Sequence, residues 1–195
     1  MAAQMLVGLG FSKVFNVSGG IQAWKEKKAI GPQDLGMNLF SGTEEPRKIL
    51  KVAYSLEQGL RHFYLSMQEK TTHDKVKSLF GTLSDIEIKH QMSIFLVFKD
   101  LCEKDMGKTD FERKVESSAL EGGLTTAQYF ELFDPDLSSE ASVISIAMSI
   151  EVQALDLYQR VAQKIQHPAS KKIVNQIANE EKVHLKHLGE LMDSL

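Results

Sequence analysis

Two Glu-x-x-His sequences occur in the chain, Glu87-x-x-His90 and Glu181-x-x-His184, and an offset of 94 residues (181 against 87) superimposes them. The same offset lays AYSLEQGLRHFY at 53–64 on AMSIEVQALDLY at 147–158. There Ala, Ser, Glu and Tyr coincide, so Glu57 falls on Glu151 and Tyr64 on Tyr158. Internal duplication of this kind gives a molecule two equivalent halves. Residues three apart on a helix differ in direction by roughly 60°, so each Glu and its following His share a face. A single Glu-x-x-His reads as an ordinary surface pair. Six repeat-matched residues on inward faces do not.

The surroundings of the two lone glutamates are apolar. Ala53, Leu56 and Leu60 flank Glu57, and Ala147, Ile150, Ala154 and Leu155 flank Glu151. A carboxylate in such a stripe is costly without compensation. Four carboxylates converging in one core repel, and most would have to stay protonated. Two divalent cations remove the problem, because they neutralise four carboxylates while the imidazoles bind uncharged. The expected ligand set is Glu57, Glu87, His90, Glu151, Glu181 and His184. Glu57 and Glu151 are expected to be the more terminal ligands, Glu87 and Glu181 the bridging candidates, with one histidine on each metal. One Glu from each of two helices and Glu-x-x-His from each of the other two is the arrangement of di-iron and di-manganese carboxylate bundles. Iron and manganese both accept these donors, and zinc is a redox-inert possibility.

Tyr64 and Tyr158 each lie about two turns after their glutamate, near the same face. A buried phenol needs a hydrogen-bond partner, and a ligand carboxylate would serve. Each tyrosine reads equally well as a plain core aromatic. Asp85 and Asn179 are also repeat-matched, and either support the histidines or face solvent. His62, Glu180 and His187 have no match in the repeat and are expected at the surface.

Long helices must hold these residues. Apolar spacing of three and four predicts them over about 45–70, 73–104, 139–165 and 168–192. Thr43 is placed to cap the first, with Glu44 and Glu45 at its positive end and Pro46 in its first turn; Pro168 opens the fourth. Links one–two and three–four are short, which makes antiparallel hairpins. The link over about 105–138 is long, with short helices expected around 111–119 and 126–133. Two hairpins joined by one long crossover is the topology of a ferritin-like four-helix bundle, an all-α fold.

Residues 1–42 differ. Seven of the chain's 13 glycines fall there. A short helix, a β run at Val14–Val17, a Gly19-Gly20 turn and a helix over 21–28 predict a small αβα fragment, followed by a linker over 31–43. The expected domains are therefore 1–42 and 43–195.

Composition excludes some functions. A formal net charge of −3 gives no basic footprint, so no nucleic-acid partner is expected. The N-terminus lacks a basic, signal-like pattern, and no stretch is expected to reach the roughly 20 apolar residues of a membrane span. The single cysteine, Cys102, reads as a small hydrophobe and fits a reducing cytoplasm.

The set Glu57, Glu87-x-x-His90, Glu151, Glu181-x-x-His184, over about residues 44–195, resembles the rubrerythrin branch of the ferritin-like superfamily. That resemblance implies a non-haem di-iron oxidoreductase reducing hydrogen peroxide or reacting with dioxygen, in a homodimer, with tyrosines such as Tyr64 and Tyr158 near the metals. Two departures stand out. Ala154 occupies the place where rubrerythrins commonly carry a further glutamate, and no cysteine pair exists for a rubredoxin-type iron. Electrons are therefore expected from a separate donor protein. GFSKVFNVSGGIQAWK, within residues 3–30, resembles the last portion of a rhodanese-like domain without its catalytic-cysteine loop. No sulfurtransferase activity is expected. The rival readings of the bundle are a non-enzymatic iron-binding or storage module and a structural metal-binding bundle.

Overall fold

The computed structural model describes residues 10, 36–115, 128, 129, 131 and 136–195. The predicted αβα fragment, its strand and its helices included, lies outside them. Among the described residues every regular element is helical. A 3-10 turn at Met37–Leu39 is followed by α1 (Pro46–Lys70), α2 (Asp74–Leu101), α3 (Lys108–Glu112), α4 (Glu140–Lys164) and α5 (Pro168–Asp193). α1 packs along α2 and α4 along α5; α1 also meets α5, and α2 meets α4. This is the expected pair of hairpins.

Prolines at the first turns of α1 and α5 fit because the first N–H groups of a helix have no partner within it. Ser139 Oγ caps α4 by accepting from the N–H of Ser142, and the His167 ring accepts from the N–H of Ser170 at the start of α5. Thr43 does not cap α1, contrary to expectation. The cap position is Glu45, without a side-chain hydrogen bond. Glu44 instead turns back and takes the local donors. Its buried carboxylate accepts from the N–H and Oγ–H of Ser41 and from the Gly42 N–H at 2.9 Å. Burial alone would raise its pKa, but these hydrogen bonds hold it at about 2. Two further bonds tie this hook to the α4–α5 turn: Gln166 N–H to Gly42 O at 3.0 Å, and Ser170 Oγ–H to Glu44 O at 2.6 Å.

α2 ends at Leu101, three residues before the expected end, where Cys102 leaves helical geometry. The chain then turns so that Met106 and Phe111 are buried. The first crossover helix, α3, begins at Lys108 and ends at Glu112, ahead of most of the expected 111–119, of which residues 116–119 lie outside the described residues. Phe111 anchors it in an aromatic cluster with Tyr54, Phe95 and Phe98. Tyr54 donates a 2.6 Å hydrogen bond to Glu112, and burial with that bond raises its phenol above the ordinary range. Gln128, Tyr129 and Glu131 are helical, within the predicted 126–133.

One expectation is overturned. α4 is long and apolar enough to cross a membrane by length and composition alone. Most of its apolar stretch is buried inside the bundle, with Glu151 in the middle. A helix wrapped by neighbours carries apolar residues around much of its circumference.

The core forms two apolar clusters, one containing Tyr54, Phe98 and Phe111, the other Phe63, Phe80 and Tyr129. Every long helix crosses between them at the same place. In α1, Leu56 belongs to the first and Leu60 to the second; in α2, Ile94 and Leu83; in α4, Ala154 and Ile150; in α5, Ala178 and Leu188. In each case the glutamate of the Glu57, Glu87, Glu151, Glu181 set lies between the two.

Candidate metal centre

At that crossing the bundle is polar. Glu57, Glu87, Glu151 and Glu181 are all at most 3% exposed. The structure gathers them into two triads, Glu57 with Glu87 and His90, and Glu151 with Glu181 and His184. In each triad one donor atom per residue lies within 4.8 Å of the others.

The two triads repeat each other closely. His90 Nδ1 is 2.8 Å from Glu87 Oε2 and 3.4 Å from Glu57 Oε2. His184 Nδ1 is 3.0 Å from Glu181 Oε2 and 3.5 Å from Glu151 Oε2. The three-residue spacing on one helix makes the short contact, and the facing helix of the same hairpin supplies the longer one. The two imidazoles stack, with centroids 3.7 Å apart and planes 8° from parallel. All six predicted residues therefore meet in one place.

Electrostatics in the first triad follow from burial. Desolvation and the nearby charges of Glu57 and Glu151 push the Glu87 carboxyl well above its usual range, although His90 opposes this. Glu57 is driven upward by burial, but His90 outweighs that and holds it below the usual value. Burial would lower the pKa of His90; the two carboxylates raise it to about 11. Without a metal, the two carboxyl groups favour the charged form of His90, while burial and repulsion by Glu57 and Glu151 favour the proton on Glu87.

The donor chemistry fits a pair of divalent cations. Glu57 Oε2 and Glu151 Oε2 are fully buried, and apart from the long, poorly aligned approaches of the His90 and His184 Nδ1 atoms at 3.4 and 3.5 Å they have no hydrogen-bond partner. A buried carboxylate oxygen without a donor is expensive, and a cation is the partner that would satisfy it. Carboxylate oxygen with imidazole nitrogen is the donor set of the first-row divalent metals.

A cavity of about 90 Å³ opens beside the triads. Glu87, His90, Glu151 and His184 line it together with Leu83, Ile86, Leu188 and Leu191. His187 also lines it, although it is exposed and was expected to be an ordinary surface residue. It lies one turn after His184, which was the available signal. Gln91 and Gln153 are buried polar neighbours in sequence of the ligand set that the repeat did not mark. Tyr64 and Tyr158 are completely buried, in opposite apolar clusters, one on each side of the polar layer. Asp85 and Asn179 face solvent, as does His62. Ala154 is fully buried.

A family model described as Rubrerythrin matches residues 48–192 of the chain. The match takes in all six candidate ligands and both tyrosines; it does not reach residues 1–42, so the expected rhodanese-like resemblance of that segment gains no support from it. Comparison with curated proteins and with solved structures gave no match.

Proposed function

The chain belongs to the rubrerythrin family, and from that premise we propose that it is a non-haem di-iron oxidoreductase that reduces hydrogen peroxide or reacts with dioxygen. The observation that carries this reading is the meeting of two identical Glu-Glu-His triads, joined by stacked imidazoles, in an otherwise apolar core. Glu57, Glu87 and His90 would hold one cation; Glu151, Glu181 and His184 the other. When bound, two iron ions supply Lewis acidity and the two electrons that convert hydrogen peroxide and two protons into two waters.

The protein's own part is geometry and dryness. The four carboxylates fix the net charge of the loaded centre at zero. The leucines and isoleucine of the cavity wall keep bulk water away, which strengthens every charge interaction inside. A cavity of about 90 Å³ holds a molecule the size of a few waters, each taking roughly 30 Å³ in the liquid. Dioxygen and hydrogen peroxide are of that size. Tyr64 and Tyr158 are assigned to the ligand carboxylates, which their phenols would orient by hydrogen bonding. The two electrons reach the centre from a donor outside the bundle.

Anaerobic stopped-flow absorbance on the Fe²⁺-loaded chain tests the reading. Oxidation by peroxide faster than by air supports a peroxidase. Iron far in excess of two per chain points to storage, and tight zinc with no turnover to a structural metal.

A further inference from the structure

The duplication gives the candidate metal centre two matched approaches between α2 and α5, and the two differ. On one side lies the cavity of about 90 Å³ that reaches Glu87, His90, Glu151 and His184. The 94-residue offset carries its His187, Leu188 and Leu191 onto Ser93, Ile94 and Val97. Those three residues line a second gap, of only about 10 Å³. Among the described residues, no member of either triad lines it. A duplicated bundle thus has one open side and one closed side.

The closed side has a local cause. Gln176 and Glu180 of α5 both line the small gap, and Gln176 Nε2–H donates to Glu180 at 3.1 Å. Their matches on the open side are Thr82 and Ile86. Thr82 gives its hydroxyl to the Ser78 carbonyl of its own helix at 3.1 Å, and Ile86 can make no hydrogen bond. A clasp of two long polar side chains is therefore replaced by two shorter ones that do not join.

The open side also carries a distinctive polar group. Among the described residues that line the larger cavity, His187 is the one exposed to solvent. Apart from the triad residues, its companions there are leucines and an isoleucine. A neutral imidazole offers one N–H donor and one acceptor nitrogen. Hydrogen peroxide has both O–H donors and acceptor oxygens and can satisfy the two together. Dioxygen has no donor. A polar site in apolar surroundings discriminates most strongly against a molecule that leaves its groups unpaired.

We propose that the oxidant reaches the centre from the His187 side alone, and that His187 favours hydrogen peroxide over dioxygen on the way in. The selectivity rests on the di-iron reading above; the one-sided entry rests on the two cavities.

Each half has its own test. Dissolved dioxygen is paramagnetic and speeds the nuclear relaxation of the methyl groups it reaches. In the metal-free chain under dioxygen, the methyls of Leu188 and Leu191 are expected to respond several-fold more strongly than those of Ile94 and Val97. Leu191→Trp should suppress the Leu188 response, and Val97→Trp should leave it unchanged. This comparison needs neither metal nor turnover, so its outcome is separate from that of the di-iron chemistry. Equal responses on the two sides, or a stronger one at Ile94, would overturn one-sided entry.

In the iron-loaded chain, His187→Leu is expected to slow oxidation by peroxide about tenfold, the scale of one lost hydrogen bond, and to leave oxidation by dioxygen unchanged. His187→Gln keeps a donor and an acceptor and should recover most of the peroxide rate, with iron content equal in all three chains. Both rates falling together, neither falling, or no recovery in His187→Gln would overturn the selectivity. A loaded wild-type chain that reacts with neither oxidant would contradict the di-iron reading and the selectivity with it, and the relaxation result would still decide the route.

Discussion

The imidazole rings of His90 and His184 lie face to face at 3.7 Å, 8° from parallel, and this stack joins the two halves of the duplicated chain. Each ring turns its Nδ1 toward the carboxylates of its own hairpin. Two imidazolium rings cannot comfortably stack so closely, because like charges in a poorly hydrated site repel. A metal on the His90 nitrogen would remove the need for that ring to carry a proton. Consequences follow for the metal-free and the loaded protein.

The metal-free protein should lose stability as pH rises. His90 has a folded pKa of about 11 against an ordinary 6.5, so its stabilising contribution is complete below about pH 6.5 and disappears as pH climbs toward 11. Glu87, also raised, acts in the same direction: its contribution is present below its ordinary 4.5 and lost above its folded pKa. Thermal melts of the chelator-treated chain from pH 6 to pH 10 should show a falling midpoint. His90→Gln should flatten the dependence.

Metal binding should release protons. In the first triad the cation takes the place of the proton that the two carboxylates hold on His90. Calorimetric titration with Mn²⁺ at pH 7, in buffers of different ionisation enthalpy, should show net proton release, and His90→Gln should reduce it. Uptake, or no buffer dependence, would contradict the proton placement.

The hook at the N-terminal end of α1 should be acid-sensitive. With Glu44 depressed to about 2, its contribution is present above about pH 4.5 and is lost between there and pH 2. Glu44→Ala leaves the donors of Ser41 and Gly42 unpaired and should cost about 1–3 kcal/mol in urea unfolding at pH 7. Gly42→Ala should cost about 1–3 kcal/mol for another reason. Gly42 has φ +93°, and a methyl there would sit 3.3 Å from the Lys164 carbonyl oxygen.

Tyr54→Phe should loosen the start of the crossover without touching the metal residues. The phenol's 2.6 Å hydrogen bond to Glu112 anchors α3. Its loss should cost about 1.5–3 kcal/mol, measured by urea unfolding, with metal content unchanged.

The six residues of the site were legible because one offset matched all of them, and because Glu-x-x-His spacing on a helix leaves only one shared face. Pro46 and Pro168 marked two helix starts for an equally local reason. Elsewhere the sequence was ambiguous. Thr43 carried the right chemistry for a cap, but the longer Glu44 side chain reached the Ser41 and Gly42 donors first. The end of α2 depended on Met106 and Phe111 folding back into the core, a contact between segments that periodicity does not reveal. The His90–His184 stack and the place of His187 on the cavity wall depend on the separation of α2 and α5. No spacing within either helix encodes that separation. The apolar length of α4 is interrupted in sequence by Glu151 and Gln153, and only packing by its neighbours on several sides shows that the helix is apolar around much of its circumference.

The most direct test of the central claim is metal content by mass spectrometry of the iron-loaded, desalted chain, measured beside its Glu87→Ala and Glu181→Ala variants. Two metals per chain in the wild type and no more than one in each variant are expected. Two metals in both variants, or none in the wild type, would contradict the assignment of these triads.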